Sequence, residues 1–261
     1  MNVAQQFAKY AQFYNLLYND KNYRKEANYI SNLIKKFSSE KFPQKKILDL
    51  ACGTGRHAFF LEESGYSVEG SDISAEMVTI ARNTAKTLGK KIEFHNHSFQ
   101  ESNKIAGKFD VVISMFSAID YLTDYEDLRT TLGNVHNLLA EEGILIFDYW
   151  NGNAVVRDYS PFKVLKKQSS GEKIVRISET NLDLFNQLAN VKFSCMYFDK
   201  NSKMQEFEET HTLRYFYFDE IKTFLKLNGF EIVYRGPFMK LDENLDPFEW
   251  NISIVAEKLK G

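Results

Sequence analysis

One short segment near residue 50 constrains the fold of this chain more than any other. The apolar run at 47–50 leads into Gly53 and Gly55, and apolar residues at helical spacing follow at 58, 59 and 61. A buried strand that turns sharply into a helix favours glycine, because glycine lets the backbone turn and approach a ligand closely. The segment predicts an α/β protein, although a Gly-x-Gly turn alone occurs in many such folds.

The chain repeats this alternation of strand and helix. After the helix at 219–228, which ends at Gly229, the chain returns to two last strands at 230–234 and 251–258. The earlier strands are predicted at 67–72, 92–96, 109–114 and 144–148, with helical segments between them that include 125–139. This spacing predicts a doubly wound, seven-stranded mixed sheet with helices on both faces.

Two segments depart from this pattern. Residues 1–40 place apolar side chains at helical spacing on either side of a turn at 19–22, which predicts an N-terminal pair of helices. Residues 163–217 alternate polar and apolar side chains after strand 5. They predict an antiparallel insertion with strands at 164–167, 173–179, 188–198 and 204–216.

We interpret the chain as a single domain over 1–261. Its predicted parts are a helical cap or lid at 1–42, a core at 43–160 and 218–261, and the antiparallel β insertion at 161–217. Much of the aromatic content, which totals 22 Phe and 14 Tyr, falls in the cap and the insertion. These two segments are therefore expected to form a lid and a substrate wall.

The composition narrows the possible functions. The chain has 33 Lys and Arg against 35 Asp and Glu, a net charge of −2, whereas a general binder of nucleic-acid phosphates normally shows a basic excess. Cys52 and Cys195 are too few for a disulfide framework or a zinc site. No signal peptide and no membrane-spanning stretch is apparent in the sequence. We expect a cytoplasmic protein with no nucleic-acid and no membrane partner.

Two carboxylates identify the kind of ligand that the glycine turn would bind. Asp72 stands 17 residues beyond Gly55 at the end of the second predicted strand, where an acid can bind both hydroxyls of a ribose. Ala58 takes the place of the third glycine of a dinucleotide fingerprint, and its small size leaves that alternative open. Asp49, before the glycines, favours an ammonium ligand over a phosphate.

The chain resembles the class I S-adenosylmethionine-dependent methyltransferases over 45–150 and 218–258. The resemblance rests on two runs, Asp49-x-x-Cys52-Gly53-Thr54-Gly55 and Asp72-Ile73-Ser74 with Met77. It implies a Rossmann-like fold and S-adenosyl-L-methionine as cofactor, with S-adenosyl-L-homocysteine as product. We expect no catalytic metal, because the histidines lack metal-ligand spacing.

The same resemblance implies a set of cofactor contacts. Asp49 would lie near the amino group of the methionine part, Asp72 would hold the ribose, and Ile73 and Met77 would pack on the adenine. After the third strand the family often has an acid that reads the adenine amino group, and Ser98 stands at that position here. The full implied set is Tyr14, Tyr23, Asp49, Ala51, Gly53, Gly55, Asp72, Ile73, Met77, Ser98, Phe99 and Met115.

A finer resemblance concerns the substrate. The segments 10–18 and 21–23 are similar to the N-terminal lid of small-molecule methyltransferases, which include N-methyltransferases of nucleotide-linked aminosugars. The segments 115–122, 147–152 and 211–216 are also similar to this group. The resemblance implies a small-molecule substrate. It departs at Tyr121, because aminosugar enzymes have a histidine at or beside this position.

Several residues are candidates for catalysis or substrate binding, with simple packing as the alternative for each. The catalytic candidates are Tyr14 to orient the methyl group, His211 as a base, and Asp120 to hold a cationic amine. The substrate-binding candidates are Tyr18, Tyr121, Trp150 and Arg214. Trp150 would wall the pocket and shield a sulfonium, and Arg214 would pair with a carboxylate or phosphate.

We predict methyl transfer from S-adenosyl-L-methionine to an amino or hydroxyl group of a small molecule such as a nucleotide-linked sugar. One alternative is a nucleic-acid or protein methyltransferase, although 114–117 is not the Asn/Asp-Pro-Pro-Tyr/Phe run of enzymes that methylate base amines. A second is a non-catalytic protein that binds the cofactor, and a third is a nicotinamide dehydrogenase, which Asp49 disfavours. An exposed edge of the β insertion would allow a homodimer.

Overall fold

The computed structural model describes residues 10–38 and 45–260. The parts of the predicted cap and core at 1–9 and 39–44, and residue 261, lie outside the described residues. The strands of the described chain are β1 (Lys46–Leu50), β2 (Ser67–Ser71), β3 (Glu93–His95), β4 (Phe109–Ser114), β5 (Leu139–Trp150), β6 (Phe162–Ser169), β7 (Glu172–Asp183), β8 (Leu188–Phe198), β9 (Met204–Arg214), β10 (Phe230–Pro237) and β11 (Asn251–Lys258).

Two of the helices begin directly after a residue whose side chain caps them. Asn22 and Ser74 accept hydrogen bonds from the backbone N–H groups of Lys25 and Met77, at 2.9 and 3.2 Å. None of the described helices is long and apolar enough to cross a membrane. The helices are α1 (Tyr10–Leu17), α2 (Tyr23–Phe37), α3 (Arg56–Glu63), α4 (Ala75–Leu88), α5 (Tyr125–Leu138), α6 (Gly152–Asp158) and α7 (Phe218–Leu227), with short 3₁₀ turns at Ser102–Lys104 and Ala118–Tyr121.

The large sheet confirms the predicted seven-stranded mixed architecture. Its strand order is β10-β11-β5-β4-β1-β2-β3. Strands β1 to β5 pair in parallel, whereas β11 runs antiparallel to β5 and β10 antiparallel to β11. The chain winds outward from β1 in both directions, so the strand order reverses between β1 and β4. Open α/β sheets bind their ligands at such a point, beyond the carboxyl ends of the strands.

Helices cover both faces of this sheet. Ile47 and Leu48 are consecutive residues of β1 and are both fully buried, but they belong to separate apolar clusters. One cluster includes buried residues of α2, α3 and α4, and the other includes buried residues of α5 and α7. Because both faces are covered, the carboxyl end of the sheet is the place left for a ligand.

The insertion forms the predicted antiparallel sheet, in the order β6-β7-β8-β9. Helix α1 packs against it, with the ring of Phe13 4.5 Å from that of Tyr197 and 5.0 Å from that of Phe207. Leu17 of α1 is buried in the same apolar cluster. Tyr197 and Phe207 therefore hold the cap helix against the insertion, where we had expected them to wall the substrate pocket.

Strand β5 is longer than its apolar pattern predicted. It spans Leu139–Trp150 in place of the expected 144–148, and at its carboxyl end Tyr149 and Trp150 continue the ladder with β11 by pairing with Ile252 and Asn251. Helix α6 was not predicted. Its start is capped by Asn151, whose side chain accepts a hydrogen bond from the Asn153 N–H group.

Candidate active site

The turn after β1 folds as its glycines require. Gly53 and Gly55 have positive φ angles of 54° and 77°. A Cβ atom on Gly55 would lie 2.8 Å from the ring of Phe94, whereas one on Gly53 would meet no atom within 4 Å. Gly53 lines a cavity of about 490 Å³ at the carboxyl end of the sheet. It therefore presents bare backbone to any ligand in that cavity.

Asp72 is held rigidly at the rim of this turn. Its two carboxylate oxygens accept hydrogen bonds from the backbone N–H groups of Gly53 and Ser74, both at 2.8 Å. Burial raises the pKa of Asp72 above its ordinary value. The residue lines the cavity, and each carboxylate oxygen has a second lone pair that a ligand hydroxyl can use.

Asp49 lies buried in β1 beneath the glycine turn, with 1% of its surface exposed. Its Oδ2 atom accepts no hydrogen bond from the described residues. Burial, together with the charge of Asp72, raises the pKa of Asp49 to about 8. A buried carboxyl in this state is stabilised by a cationic ligand. Asp72, which lines the cavity, therefore fits the ribose hydroxyls of S-adenosyl-L-methionine, whereas Asp49 does not line it and would act on the ammonium from beneath the turn.

The part of the cavity where the resemblance places the adenine contains the residues expected there and two others. Ile73, Met77, Ser98 and Phe99 line it, as do His97 and Gln100, which sequence reasoning missed. The Ser98 hydroxyl donates to a Glu101 carboxylate oxygen at 3.3 Å and accepts from the Glu101 N–H group at 3.2 Å. The hydrogen of that hydroxyl is therefore already engaged.

The lid helix α1 meets the glycine turn at the methionine end. The Thr54 hydroxyl donates to the Asn15 side chain at 3.2 Å. Tyr14 and Tyr23 line the cavity. Burial raises the pKa of Tyr23 to about 12, although a hydrogen bond with Tyr14 acts to lower it. Ala51 and Met115 also line it. The expected lid and turn residues are therefore brought together.

A buried ion-pair network supports this end. Glu26 contacts the imidazole of His57 at 2.7 Å and the Lys21 ammonium at 3.2 Å. Burial opposes ionisation of Glu26, but the His57 hydrogen bond and the Lys21 charge keep its pKa below the ordinary value. Lys21 also lies 3.3 Å above the ring centre of Phe116, in the loop after β4. The network ties the turn between α1 and α2 to the rim of the cavity.

The opposite end of the cavity is walled by one face of the insertion sheet. The wall residues follow strand alternation, because every second side chain points to the same face. On β7 they are Arg176, Ser178, Thr180 and Leu182, on β8 Ala189, Val191 and Phe193, and on β9 His211 and Leu213. Tyr18, Tyr121 and Trp150, three of the expected substrate residues, line the same cavity.

Hydrogen bonds connect this wall to the core and the lid. The Tyr121 hydroxyl lies 2.9 Å from His211 Nδ1, and an Arg176 N–H group donates to the Tyr18 hydroxyl at 3.2 Å. Glu209, two residues before His211 on the same face of β9, brings its Oε2 atom to 3.4 Å from His211 Nε2. Sequence reasoning missed Arg176 and Glu209, although their alternation with other wall residues was a usable signal.

Asp120 and Arg214 do not line the cavity. Asp120 is fully buried, accepts a hydrogen bond from the Trp150 N–H group at 3.1 Å, and has a pKa raised well above its ordinary value by burial. Arg214 donates to the backbone carbonyls of Thr123 and Asn186, each at 2.9 Å, and stacks on Tyr125. Arg214 is three residues from His211, so strand alternation sends its side chain to the other face. The expectation that these two residues face the substrate is therefore not met.

One group of side chains in the described part of the chain has the spacing of metal ligands. Glu69, Glu93 and His95 place ligand atoms within 4.8 Å of one another. Glu69 is already paired with the Lys46 ammonium at 2.7 Å, and none of the three lines the cavity.

Comparison with known proteins finds a family model that matches part of the core. A family model described as a methyltransferase domain matches residues 47–143. The chain is similar to YqeM of Bacillus subtilis (strain 168), which is named as a methyltransferase, with 29% identity over 76% of this chain and 78% of the relative. It is also similar to the dTDP-3-amino-3,4,6-trideoxy-alpha-D-glucopyranose N,N-dimethyltransferase of Streptomyces venezuelae, with 24% identity over 86% of this chain and 91% of the relative.

A solved structure has the same fold over nearly the whole chain. The crystal structure of an S-adenosylmethionine-dependent methyltransferase from Clostridium acetobutylicum ATCC 824 aligns with a TM-score of 0.82 at 23% identity. The alignment covers 98% of this chain and 99% of that one. The predicted Rossmann-like fold, including its cap and insertion, is therefore confirmed.

Proposed function

We propose that this chain is a class I S-adenosylmethionine-dependent methyltransferase and that it methylates an amino or hydroxyl group of a small molecule. Within that class we favour an amino group on a nucleotide-linked sugar. The Streptomyces venezuelae relative is named for such a substrate and is similar over 86% of this chain.

One observation carries the proposal. A single cavity of about 490 Å³ is lined by Asp72 and the glycine turn at one end and by the insertion sheet at the other. Its size lies within the range typical of small-molecule sites. A cofactor held at Asp72 and an acceptor held against the insertion would therefore share one enclosed space, as direct transfer between them requires.

The residues of the cofactor end have the chemistry that S-adenosyl-L-methionine needs. Asp72 would accept hydrogen bonds from the ribose hydroxyls, and Asp49 would oppose the charge of the ammonium group. Gly53 would allow the methionine part to approach the backbone closely. When bound, the cofactor supplies an activated methyl group on a positively charged sulfur.

The residues between the two ends would align the acceptor with that methyl group. Tyr14 lies on the lid with its ring 4.7 Å from that of Tyr18, and both line the cavity. A tyrosine hydroxyl in this position can orient a methyl group, and the surrounding rings exclude water. His211 would accept the proton that the acceptor loses.

The rim residues favour a nucleotide-linked acceptor. Trp150 and Trp250 form an edge-to-face pair with ring centres 5.6 Å apart, and the Lys163 ammonium lies 5.4 Å from the Trp250 ring centre. All three line the cavity, together with Tyr159. Aromatic faces can stack on a base, and a lysine beside them can pair with a phosphate.

A screen for methylated products tests the proposal. The protein is incubated with S-adenosyl-L-methionine and, separately, with dTDP-linked 3-amino sugars, simple amines, small hydroxy acids, a short RNA and a short peptide. Mass spectrometry should detect the mass of one or two added methyl groups on an amino sugar. Asp72→Ala should abolish the product, whereas Glu76→Gln, an exposed change one turn away, should retain it. Methylation of the RNA or the peptide alone would refute the proposal.

A further inference from the structure

The loop after β4 holds two consecutive residues in a strained backbone conformation. Phe116 and Ser117 have φ angles of 66° and 53°, in the left-handed region that is costly for any residue with a Cβ atom. Both residues line the cavity. Strain of this kind persists only where surrounding contacts enforce it, and it concentrates at functional sites. The contacts that enforce it here are therefore candidates for a functional role.

Asp148 supplies these contacts from near the carboxyl end of β5. Its Oδ2 atom accepts hydrogen bonds from the N–H group of Ser117 at 3.0 Å and from the Ser117 hydroxyl at 2.9 Å. Asn251, the first residue of β11, donates to the same oxygen at 3.0 Å and to the Ser117 hydroxyl at 2.6 Å. Asp148 is fully buried, and burial strengthens hydrogen bonds of this kind. Both donors of Ser117 are thus fixed to one atom of the core.

The strained loop brings Phe116 into contact with the lid. The Lys21 ammonium, in the turn between α1 and α2, lies 3.3 Å from the ring centre of Phe116, and the ring of Tyr18 meets it edge to face at 5.3 Å. A cation over an aromatic face is attracted to it, most strongly where water is excluded, and only 12% of the Lys21 side chain is exposed. Phe116 itself is 42% exposed. Its backbone and the two lid residues therefore determine where its ring lies, rather than burial in the core.

From these contacts we infer that Asp148 is a positioning residue for methyl transfer. Its hydrogen bonds hold Ser117, the backbone at Ser117 directs Phe116 to the lid, and the lid is thereby held in one arrangement over the cofactor and the acceptor. Asp148 does not itself line the cavity, so it acts through the loop. The inference rests on the proposed function and deepens it, since it assigns the alignment of lid and core to one buried side chain. This role requires only a hydrogen-bond acceptor at the position of Oδ2.

The contact between Lys21 and Phe116 gives a signal that needs no acceptor. Protons above an aromatic ring resonate at higher field, so the methylene protons next to the Lys21 ammonium should be shifted in a ¹H–¹³C NMR spectrum of the ligand-free protein. Phe116→Leu removes the ring and identifies this shift. Asp148→Ala should move the signal toward its position in Phe116→Leu. Asp148→Asn should keep the wild-type position, because its carbonyl oxygen can replace Oδ2, and Oδ1 has no hydrogen-bond partner to lose among the described residues.

Turnover supplies the second readout. With dTDP-3-amino-3,4,6-trideoxy-α-D-glucopyranose as acceptor, Asp148→Ala should lower kcat at least about tenfold, because the acceptor and the methyl group are less well aligned, whereas Asp148→Asn should stay within about threefold of the wild type. The affinity for S-adenosyl-L-homocysteine should change less than about threefold in both variants, because Asp72 and the glycine turn follow other strands. Val135→Ala, in the buried face of α5 and away from the cavity, should lower thermal stability without lowering kcat.

The two hypotheses fail differently. An unchanged Lys21 signal in Asp148→Ala, or an equal loss of the shift in Asp148→Ala and Asp148→Asn, would overturn the role of Asp148 whatever the acceptor proves to be. Unchanged turnover of the amino sugar by Asp148→Ala would overturn it as well. Absence of methylation of every small molecule would instead overturn the proposed function, and the Lys21 signal would still decide whether Asp148 holds the loop.

A second variant covers a failure to fold. A thermal melt of Asp148→Ala verifies its folding. If it is unfolded, Ser117→Ala takes its place, because this change removes the hydroxyl that both Asp148 and Asn251 bind and leaves the carboxylate in the core. The shift of the Lys21 signal should then be lost in Ser117→Ala, and an unchanged signal would count against the role of Asp148.

Discussion

Replacing Asp49 by Asn removes a carboxyl group that the ligand-free protein holds in an unfavourable environment. Its pKa is raised to about 8 by burial and by the charge of Asp72. Between about pH 4 and pH 8, Asp49 therefore keeps its proton in the folded state, whereas it has lost that proton in the unfolded state. Because the pKa of Asp49 is higher in the folded state than in the unfolded state, the contribution of Asp49 to the free energy of unfolding is fully present below about pH 4 and is lost as the pH rises to about 8.

The size of this effect follows from the pKa. At about 1.4 kcal/mol for each pKa unit, a rise of about four units corresponds to about 6 kcal/mol, of which about 4 kcal/mol is already lost at pH 7. Asp49→Asn has no charge to bury. The variant should unfold at a higher temperature than the wild type at pH 8 and show a weaker dependence of stability on pH.

Cofactor binding should reverse the protonation of Asp49. At pH 7 a group with a pKa of about 8 is about nine-tenths protonated, and an ammonium placed beside it favours the carboxylate. Binding of S-adenosyl-L-homocysteine should therefore release about 0.9 proton. Isothermal titration in phosphate and in Tris measures this release, because the two buffers take up protons with different enthalpies.

Variants separate this effect from other protonation changes. Asp49→Asn should bind about 10- to 100-fold more weakly, from the loss of a charged hydrogen bond of about 1.5–3 kcal/mol, and its enthalpy should be the same in both buffers. Glu76→Gln should retain the proton release and the affinity of the wild type. Equal enthalpies in the two buffers for the wild type, or wild-type affinity in Asp49→Asn, would refute the pairing of Asp49 with the ammonium.

Two further substitutions test the turn and the lid. Gly53→Ala should lose about 1–2 kcal/mol of stability because of its positive φ, and it should bind S-adenosyl-L-homocysteine at least about tenfold more weakly because the new methyl group enters space kept for the ligand. The control Gly89→Ala has a similar φ and no close neighbour, so it should lose stability but keep its affinity for the ligand. Equal affinity in both variants would contradict a close approach of the ligand to Gly53. If the Tyr14 hydroxyl orients the methyl group, Tyr14→Phe should lower kcat about tenfold with little change in cofactor affinity. Tyr66→Phe, a change away from the cavity, serves as the control. Unchanged turnover in Tyr14→Phe would contradict a role of this hydroxyl in orienting the methyl group.

The glycine turn and the position of Asp72 beside it could be predicted from sequence because their determinants are local. Gly53, Gly55 and Asp72 lie within 20 residues, and a strand, a turn and the next strand bring them together in any sheet with this winding. The cap at Ser74 follows from the same kind of local chemistry. Backbone conformation and parallel strand pairing determine where these residues lie, and both can be predicted from short sequence patterns.

The buried acids could be counted from sequence but their roles could not. Asp49 and Asp120 both follow or lie within apolar core strands, and both are almost fully buried. One carboxylate oxygen of Asp120 accepts a hydrogen bond from the Trp150 N–H group. Asp49 lies beneath the glycine turn, and its Oδ2 atom has no hydrogen-bond partner among the described residues. This difference depends on the end of β5, whose extension to Trp150 is set by its pairing with β11.

The end of the cavity that the insertion sheet walls depends on contacts between distant parts of the chain. Tyr18 meets Arg176 across 158 positions, and Tyr121 meets His211 across 90. Alternation along β9 determines that His211 and Glu209 share a face and that Arg214 does not, but it cannot determine which face the core covers. That choice is made by the packing of α1 on the insertion through Phe13 and Leu17. The packing of α1 on the insertion therefore fixes the inner face of β9, and this places His211 on the wall of the cavity.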